Sequence, residues 1–421
     1  MSQPFRILLG LVLGLAGGIA LAALSPAGAV AAGTGLPGVV MTTADLVGTA
    51  WLHGLQMTVV PLITSLVITG VVATARAASA GRITAVSVVT FVATVAMTGT
   101  VAALVTPLLL RLVPMPGAAA QSLRHALAGA EKVPPPPGIA ELVRQVVPTN
   151  VVDAAANGQF LSLIVFTLAF AFAITRLGAA AQDRLVGFFE GVRDAMLVVI
   201  GWILFLAPLG VFALALVVGG KTGTAAIGAL IHYVGIVSAV GLVVIALGFA
   251  LAAVVGGIGP ARFERAALPA HAVAISTQSS LASLPAMLKG AESLGVPQAT
   301  AGVTLPLAVT MFRATQPAMN MAVSLYIANW FGVHLTPVGI AAGVLVGVIT
   351  SLGSVSLPAQ ITYYASIAPV ALAMGVPVEA LGLLIAVETV PDIFRTLGNV
   401  TMDLAATTAV ARLTGNRELK T

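Results

Sequence analysis

Apolar runs recur along the chain, and a run of about 20 residues crosses a bilayer of roughly 30 Å as a helix. The pattern predicts such spans at about 5–24, 49–73, 84–112, 158–176, 195–219, 224–256, 300–330 and 377–412. Between the third and fourth lies a long polar insert. Its Pro134-Pro135-Pro136-Pro137-Gly138 run cannot be helix interior.

Two further apolar segments are interrupted. One, 266–290, is broken by Ser276-Thr277-Gln278-Ser279-Ser280 and then Ser283-Leu284-Pro285. The other, 338–372, is broken by Thr350-Ser351-Leu352-Gly353-Ser354 and then Ser356-Leu357-Pro358. Neither half of either segment is long enough to span alone. Each segment therefore reads as helix, polar turn, helix: a re-entrant hairpin. Irregular backbone at membrane depth survives only where protein or a wet cavity covers it, and a pair of such segments points to a solute site. The predicted fold class is an all-α membrane protein with eight transmembrane helices and two re-entrant helical hairpins.

Composition agrees. The chain is 59% hydrophobic and only 8% charged, whereas soluble domains run near a quarter charged. The net charge of +5 comes from scattered basic residues without aromatic interleaving, which argues against a nucleic-acid partner and for positive-inside loops. Arg76, Arg82, Arg176, Arg184, Arg193, Arg262, Arg265, Lys289, Arg412, Arg417 and Lys420 fall on one side if both hairpins re-enter. Arg124, Lys132, Arg144 and Lys221 fall on the other, which places both termini in the cytoplasm. The first apolar run reads as a retained helix. With no cysteine there is no disulfide, thiol catalysis or thiolate metal site.

The last span carries the densest chemistry. Glu388, Asp392, Arg395, Thr396, Asn399 and Asp403 recur at steps of three and four, within a sector of about 100° on a helix. Ile393, Phe394, Leu397, Val400 and Leu404 form the opposite face. Ionisable groups in a membrane cost at least roughly 2.5–3.5 kcal/mol each unless paired or solvated, so such a stripe needs a polar cavity or a partner. An Asp392–Arg395 pair that only glues helices together is the plainer reading. Asn399 and Asp403 favour a solute and ion site. In the seventh span, Arg313 sits close to Pro317, a residue that would free backbone carbonyls in a helix interior. Glu388 reads either as a proton carrier or as a solvated helix-end acid.

The pattern Asp392-x-x-Arg395-Thr396-x-x-Asn399-Val400-x-x-Asp403 resembles the last helix of the dicarboxylate/amino acid:cation symporters, the glutamate transporter homologues. The likeness runs through most of the chain. It takes in Gln56-Met57-x-Val59-Val60-Pro61-Leu62, Val147-Pro148-Thr149-Asn150, Ala156-Asn157-Gly158, Ala207-Pro208-Leu209-Gly210-Val211-Phe212, Ser279-Ser280-Leu281-Ala282-Ser283-Leu284-Pro285 and Thr304-Leu305-Pro306-Leu307. It implies a homotrimer with an elevator fold in a bacterial inner membrane. Residues 1–257 would be mostly static scaffold, with the third and sixth spans assignable to either part. Residues 258–421 would be the moving transport core.

By the same resemblance, Arg395 holds a substrate carboxylate, Asp392 its amino group, and Thr396 and Asn399 the rest of an α-amino acid. Backbone around Ser279-Ser280 and Leu357-Pro358 closes over the solute. Thr310, Ser351, Leu352 and Ser354 would form one sodium site, and Asp403 with Asn399 another. Such roles suit a guanidinium fork for carboxylates and oxygen ligands for hard cations.

One departure stands out. The family's Asn-Met-Asp-Gly-Thr is Phe312-Arg313-Ala314-Thr315-Gln316 here. Either the Arg313 guanidinium stands where a sodium ion would sit, leaving fewer sodium sites, or Arg313 faces substrate and selects a more anionic solute. Gln278 and Leu281 also depart from the family at the first hairpin tip. The function implied is cation-coupled transport of an anionic amino acid or related carboxylate. An organic-anion carrier coupled to protons or uncoupled, an anion channel and a solute sensor remain as alternatives. An enzyme is disfavoured: the chain has no His-Glu-x-x-His or Gly-x-Ser-x-Gly, and its five histidines (53, 125, 232, 271, 334) share no ligand spacing.

Overall fold

A computed structural model describes residues 3–25, 35–115, 148–352 and 359–415, and every regular element among them is a helix. The first four helices are α1 (Gln3–Leu24), α2 (Gly35–Gln56), α3 (Val59–Ser79) and α4 (Arg82–Leu112). After the insert come α5 (Val151–Ala156), α6 (Phe160–Ile174), α7 (Ala179–Phe205), α8 (Ala207–Thr222) and α9 (Ala225–Val254). The last part holds α10 (Pro260–Thr277), α11 (Ser280–Ser293), α12 (Gln298–Met311), α13 (Thr315–Phe331), α14 (Pro337–Leu352), α15 (Ala359–Ala373), α16 (Leu381–Leu384) and α17 (Thr389–Leu413). The proline run of the insert lies outside the described residues, as do Ser354, Leu357 and Pro358 of the second hairpin tip.

Among the described residues, four helical stretches are long and apolar enough to cross a membrane: α1, the 35–79 stretch of α2 and α3, α4, and α9 from Ala226. The α7–α8 pair, bent by 57°, makes a fifth if taken as one span. The apolar run at 49–73 straddles the join of α2 and α3. The helical stretch starts earlier, at Gly35, because Thr42, Thr43 and Asp45 dilute its first half below a plain hydrophobic signal. The run at 195–219 hides the bend. Pro208 sits in the first turn of α8, where a missing N–H costs nothing but cannot extend α7.

The first interrupted segment folds as a helical pair, α10 packed on α11. Helix α10 ends on Gln278 in the left-handed region, at φ 50°, and α11 is capped by the Ser279 hydroxyl accepting from the Ala282 N–H at 3.2 Å. Gln278 is the only non-glycine residue at positive φ among those described. Such a conformation persists only where surrounding contacts hold it. The second interrupted segment gives α14 packed on α15.

The seventh apolar run is broken between α12 and α13, at Phe312-Arg313-Ala314. Pro317 therefore does not free carbonyls within a helix, as its position suggested. It lies in the first turn of α13, whose N–H groups have no helical partners in any case. Gly332, at φ 68°, terminates α13 with the left-handed residue that side chains resist.

The most extensive helix contact joins α1 to α8. Gly10, Gly14 and Gly18 form one face of α1 against the backbone of Pro208, Phe212 and Leu216. This is the small-residue spacing that lets helices approach closely in lipid. A methyl group at Gly14 would meet the Phe212 carbonyl and lie 2.8 Å from the Ala215 Cβ, whereas one at Gly17 finds its nearest neighbour at 3.8 Å. Gly14→Ala is expected to destabilise the protein by about 1–3 kcal/mol through overpacking. Gly17→Ala should be neutral or mildly stabilising. Thermal denaturation of the two variants in one detergent checks the contrast, and equal melting temperatures would refute it.

Helix α17 lies at the centre of the C-terminal part. It is wrapped by α4, α9, α10, α11, α12 and α13. Gly398 admits the start of α13, so that a side chain there would collide with the Thr315 hydroxyl 2.6 Å away.

Candidate functional site

The polar stripe of α17 faces protein, not lipid. Glu388 is 2% exposed, Asp392 5%, Arg395 7% and Asp403 0%, and Thr396 and Asn399 are buried with them. On the opposite face Val400 and Leu404 pack into an apolar cluster with α10, α11 and α12. Three- and four-residue spacing has done what helix geometry requires, turning Glu388, Asp392, Arg395 and Asp403 to one side.

The guanidinium of Arg395 is held mainly by a residue seven positions away. Its Nη2 donates to Glu388 Oε1 at 2.5 Å, whereas its Nη1 reaches Asp392 Oδ1 only at 3.4 Å. The Asp392–Arg395 pair expected from the sequence exists, but it is the looser of the two. Glu388 is a buried ligand of Arg395, not a solvated helix-end acid. Its other oxygen accepts from the Tyr233 hydroxyl of α9 at 2.9 Å, and Tyr233 lies 3.2 Å from the Tyr363 hydroxyl of α15. Tyr233 satisfies a carboxylate oxygen that would otherwise be buried without a donor, and Tyr363 supports Tyr233 from behind. They tie the second helical pair and α9 to the stripe.

The first hairpin tip meets the beginning of the same helix. Gln278 Nε2 donates to the Thr389 carbonyl at 3.4 Å, Ser280 is buried, and Ser279 is spent on its cap. Gln278 thus holds the hairpin tip against α17, with its strained backbone as the cost.

At the break between α12 and α13, Asn399 Oδ1 accepts from the Thr315 N–H at 2.9 Å, and the Ala314 carbonyl accepts from the Thr98 hydroxyl of α4 at 2.7 Å. Phe312 stacks on Phe91, with centroids 4.4 Å apart and planes 9° from parallel. Arg313, partly buried, lies in electrostatic reach of Asp392, Arg395 and Asp403. Neither carboxylate oxygen of Asp403 has a hydrogen-bond partner.

Of the residues expected to form another cation site, Thr310 donates to the Pro306 and Leu307 carbonyls at 2.8 and 3.1 Å, and Ser351 donates to the Val348 carbonyl at 2.8 Å. Leu352 ends α14, and Ser354 lies outside the described residues. Among the described residues no cluster of three or more His, Cys, Asp or Glu has the geometry of a metal site. Tyr233, Tyr363 and Thr98 are the contributors that sequence reasoning missed. Single hydroxyls on otherwise apolar helices carry no pattern. The Glu388–Arg395 contact did have a signal, since seven residues return a helix to nearly the same face.

A family model described as the sodium:dicarboxylate symporter family matches residues 4–413. The proton/sodium-glutamate symport protein of Bacillus subtilis is 31% identical over 66% of this chain, and the match covers 64% of that protein's length, just under two thirds. The proton/glutamate-aspartate symporter of Escherichia coli is 25% identical, over 87% of this chain and 84% of its own. The C4-dicarboxylate transport protein of Leptothrix cholodnii is 27% identical, over 66% of this chain and 62% of its own.

Proposed function

Because this chain belongs to the sodium:dicarboxylate symporter family, we propose that it carries an anionic amino acid, or a related carboxylate, across a bacterial inner membrane by cation-coupled symport. The family and the apolar helices make it an integral membrane protein. The observation that carries the proposal is the Glu388–Arg395–Asp392 constellation, buried on α17 beneath the first hairpin tip.

Arg395 takes the solute's carboxylate, exchanging Glu388 and Asp392 for it. A planar fork suits that exchange, because it offers paired donors and keeps its charge when desolvated. Asp392, the looser partner, is released to meet an ammonium group. Thr396 and Asn399 line the same face, and the tips at Ser279-Ser280 and Leu357-Pro358 cover the solute.

Charge balance supplies the reason for coupling. Glu388, Asp392 and Asp403 are three carboxylates, against the two guanidiniums Arg313 and Arg395. The stripe is therefore one negative charge in excess before an anion enters. Adding an anion in low dielectric requires a cation or a proton to enter with it.

The eight spans, the two re-entrant hairpins, cytoplasmic termini, a homotrimer and elevator movement of 258–421 against 1–257 complete the proposal. Contacts of α4 and α9 with α13 and α17 support moving the third and sixth spans with the core. A cation site of Thr310, Ser351, Leu352 and Ser354 is compatible with hydroxyl and carbonyl ligands. A second reading, a plain dicarboxylate carrier, is favoured by Arg313, whose charge in reach of Asp392 would offset repulsion of a second carboxylate.

Reconstituted vesicles test the reading. A symporter accumulates labelled L-aspartate, L-glutamate or succinate above equilibrium under an imposed gradient, and a channel only equilibrates it. Asp392→Asn separates the two solute classes. It should weaken L-aspartate by about 1.5–3 kcal/mol, roughly 10- to 150-fold, through one lost charge-assisted contact, and leave succinate unchanged or tighter. Equal loss for both solutes would end the ammonium assignment.

A further inference from the structure

Asp403 is an acid that the solute site leaves without a partner. It is fully buried in the middle of α17, and neither of its oxygens accepts a hydrogen bond. A carboxylate so placed is strongly destabilising unless a countercharge meets it. The break between α12 and α13 is seated on α17 about one turn before Asp403, by the Thr315 N–H to Asn399 bond and the contact of Thr315 with Gly398. Among the described residues the charged side chain it brings within electrostatic reach of Asp403 is Arg313. Arg313 also reaches Asp392, and its buried Nε has no hydrogen-bond partner. The guanidinium is thus shared between two acids of α17 and docked on neither.

The family implies sodium, and the residues around Asp403 do not fit it. A sodium ion needs several convergent oxygens. Here the Asn399 oxygen is turned to the Thr315 N–H and the Ala314 carbonyl to the Thr98 hydroxyl, while Phe312 faces Phe91. A second cation at Asp403 would also be repelled by Arg313.

We propose that the Arg313 guanidinium is the resident cation of this break, neutralising Asp403 and sharing Asp392 in place of a bound sodium ion. A tethered cation cannot leave. It stabilises the acids equally in the solute-free and solute-bound carrier, so it contributes nothing to coupling. The coupling charge must enter elsewhere, and the empty carrier is already neutral at Asp403 when it returns across the membrane. Only this last consequence rests on the carrier reading.

The test uses the purified full chain without solute. Melting temperature is followed against sodium, with choline chloride holding ionic strength constant. The readout is the part of the sodium response that Asp403→Asn abolishes. It should be zero in the parent. In Arg313→Met it should appear and grow with the logarithm of sodium concentration, as linkage requires. Arg313→Lys should behave as the parent. L-Aspartate affinity in Arg313→Met should then gain an additional sodium dependence of about tenfold or more that Asp403→Asn removes. If Arg313→Met proves too unstable to purify, Arg313→Met with Asp403→Asn should restore a folded protein, because the uncompensated acid is gone.

An Asp403-dependent sodium response in the parent would overturn the proposal. So would an Arg313→Met protein that is as stable as the parent and indifferent to sodium, or a double variant no more stable than the single. Failure of every solute probe to bind would defeat the carrier reading while leaving the sodium comparison intact.

Discussion

Arg395→Lys should weaken binding of L-aspartate and L-glutamate by about 2–4 kcal/mol, roughly 30- to 1,000-fold, and abolish measurable uptake. Lysine keeps the positive charge, so Glu388 and Asp392 are not stranded as unpaired buried acids, and the variant should purify as a folded protein. What it loses is the fork. Arg395 addresses two carboxylates through two different nitrogens, Nη2 to Glu388 and Nη1 to Asp392. A single ammonium on a shorter stem cannot present paired donors to an incoming carboxylate. Calorimetry with each solute, beside a melting curve, is the decisive measurement. Near-parental affinity in a well-folded Arg395→Lys protein would remove Arg395 from the solute site.

Glu388→Gln should change the pH dependence more than any other substitution. A charged Glu388 and the solute carboxylate compete for the same guanidinium, so the solute-bound form favours a proton on Glu388. The bound state then holds more protons than the free state, and affinity rises as pH falls, by up to about tenfold per pH unit for one linked proton. The other groups facing Glu388 are the Tyr233 hydroxyl from α9 and, behind it, Tyr363 from α15, with Arg395 and Asp392 on its own helix. Of these only Asp392 is another carboxylate on Arg395, and when the solute displaces it, it passes to the ammonium group and keeps its charge, so it links no proton. Glutamine keeps an oxygen for Tyr233 but cannot bear the charge. Its solute affinity should be flat between about pH 6 and 9 and should exceed the parent's at the alkaline end. A parent whose affinity does not vary with pH, or a variant that retains the parent's slope, would show that Glu388 does not gate Arg395.

These two expectations rest on different kinds of information. The place of Arg395 on a polar helical face was visible in residue spacing, because a helix converts a step of three or four into a shared side. The ranking of its partners was not. Asp392, one turn away, was the natural choice, yet Glu388 is the tighter ligand, held by the Tyr233 hydroxyl of α9, which in turn meets the Tyr363 hydroxyl of α15. Membrane spans show the same division. Uniformly apolar stretches such as α1, α4 and α9 were located closely. The 35–79 stretch was cut short where threonines and Asp45 interrupt it, and the bend between α7 and α8 left no mark in the hydrophobic pattern beyond Pro208.

From its order of residues alone the chain was determined to be helical, apolar enough for lipid, interrupted within 276–280 and 350–354, and supplied with one ionisable face near its end. Each of these is a local property, governed by hydrophobic period, turn chemistry and the cost of charge in hydrocarbon. Tertiary structure alone decided which acid Arg395 grips, that Pro317 opens α13 instead of breaking it, and that Arg313 comes into electrostatic reach of Asp403. Those outcomes depend on which helices lie side by side. Electrostatic and hydrogen-bond energies act over a few ångströms between groups as far apart in sequence as Thr98 and Ala314, separated by 216 residues.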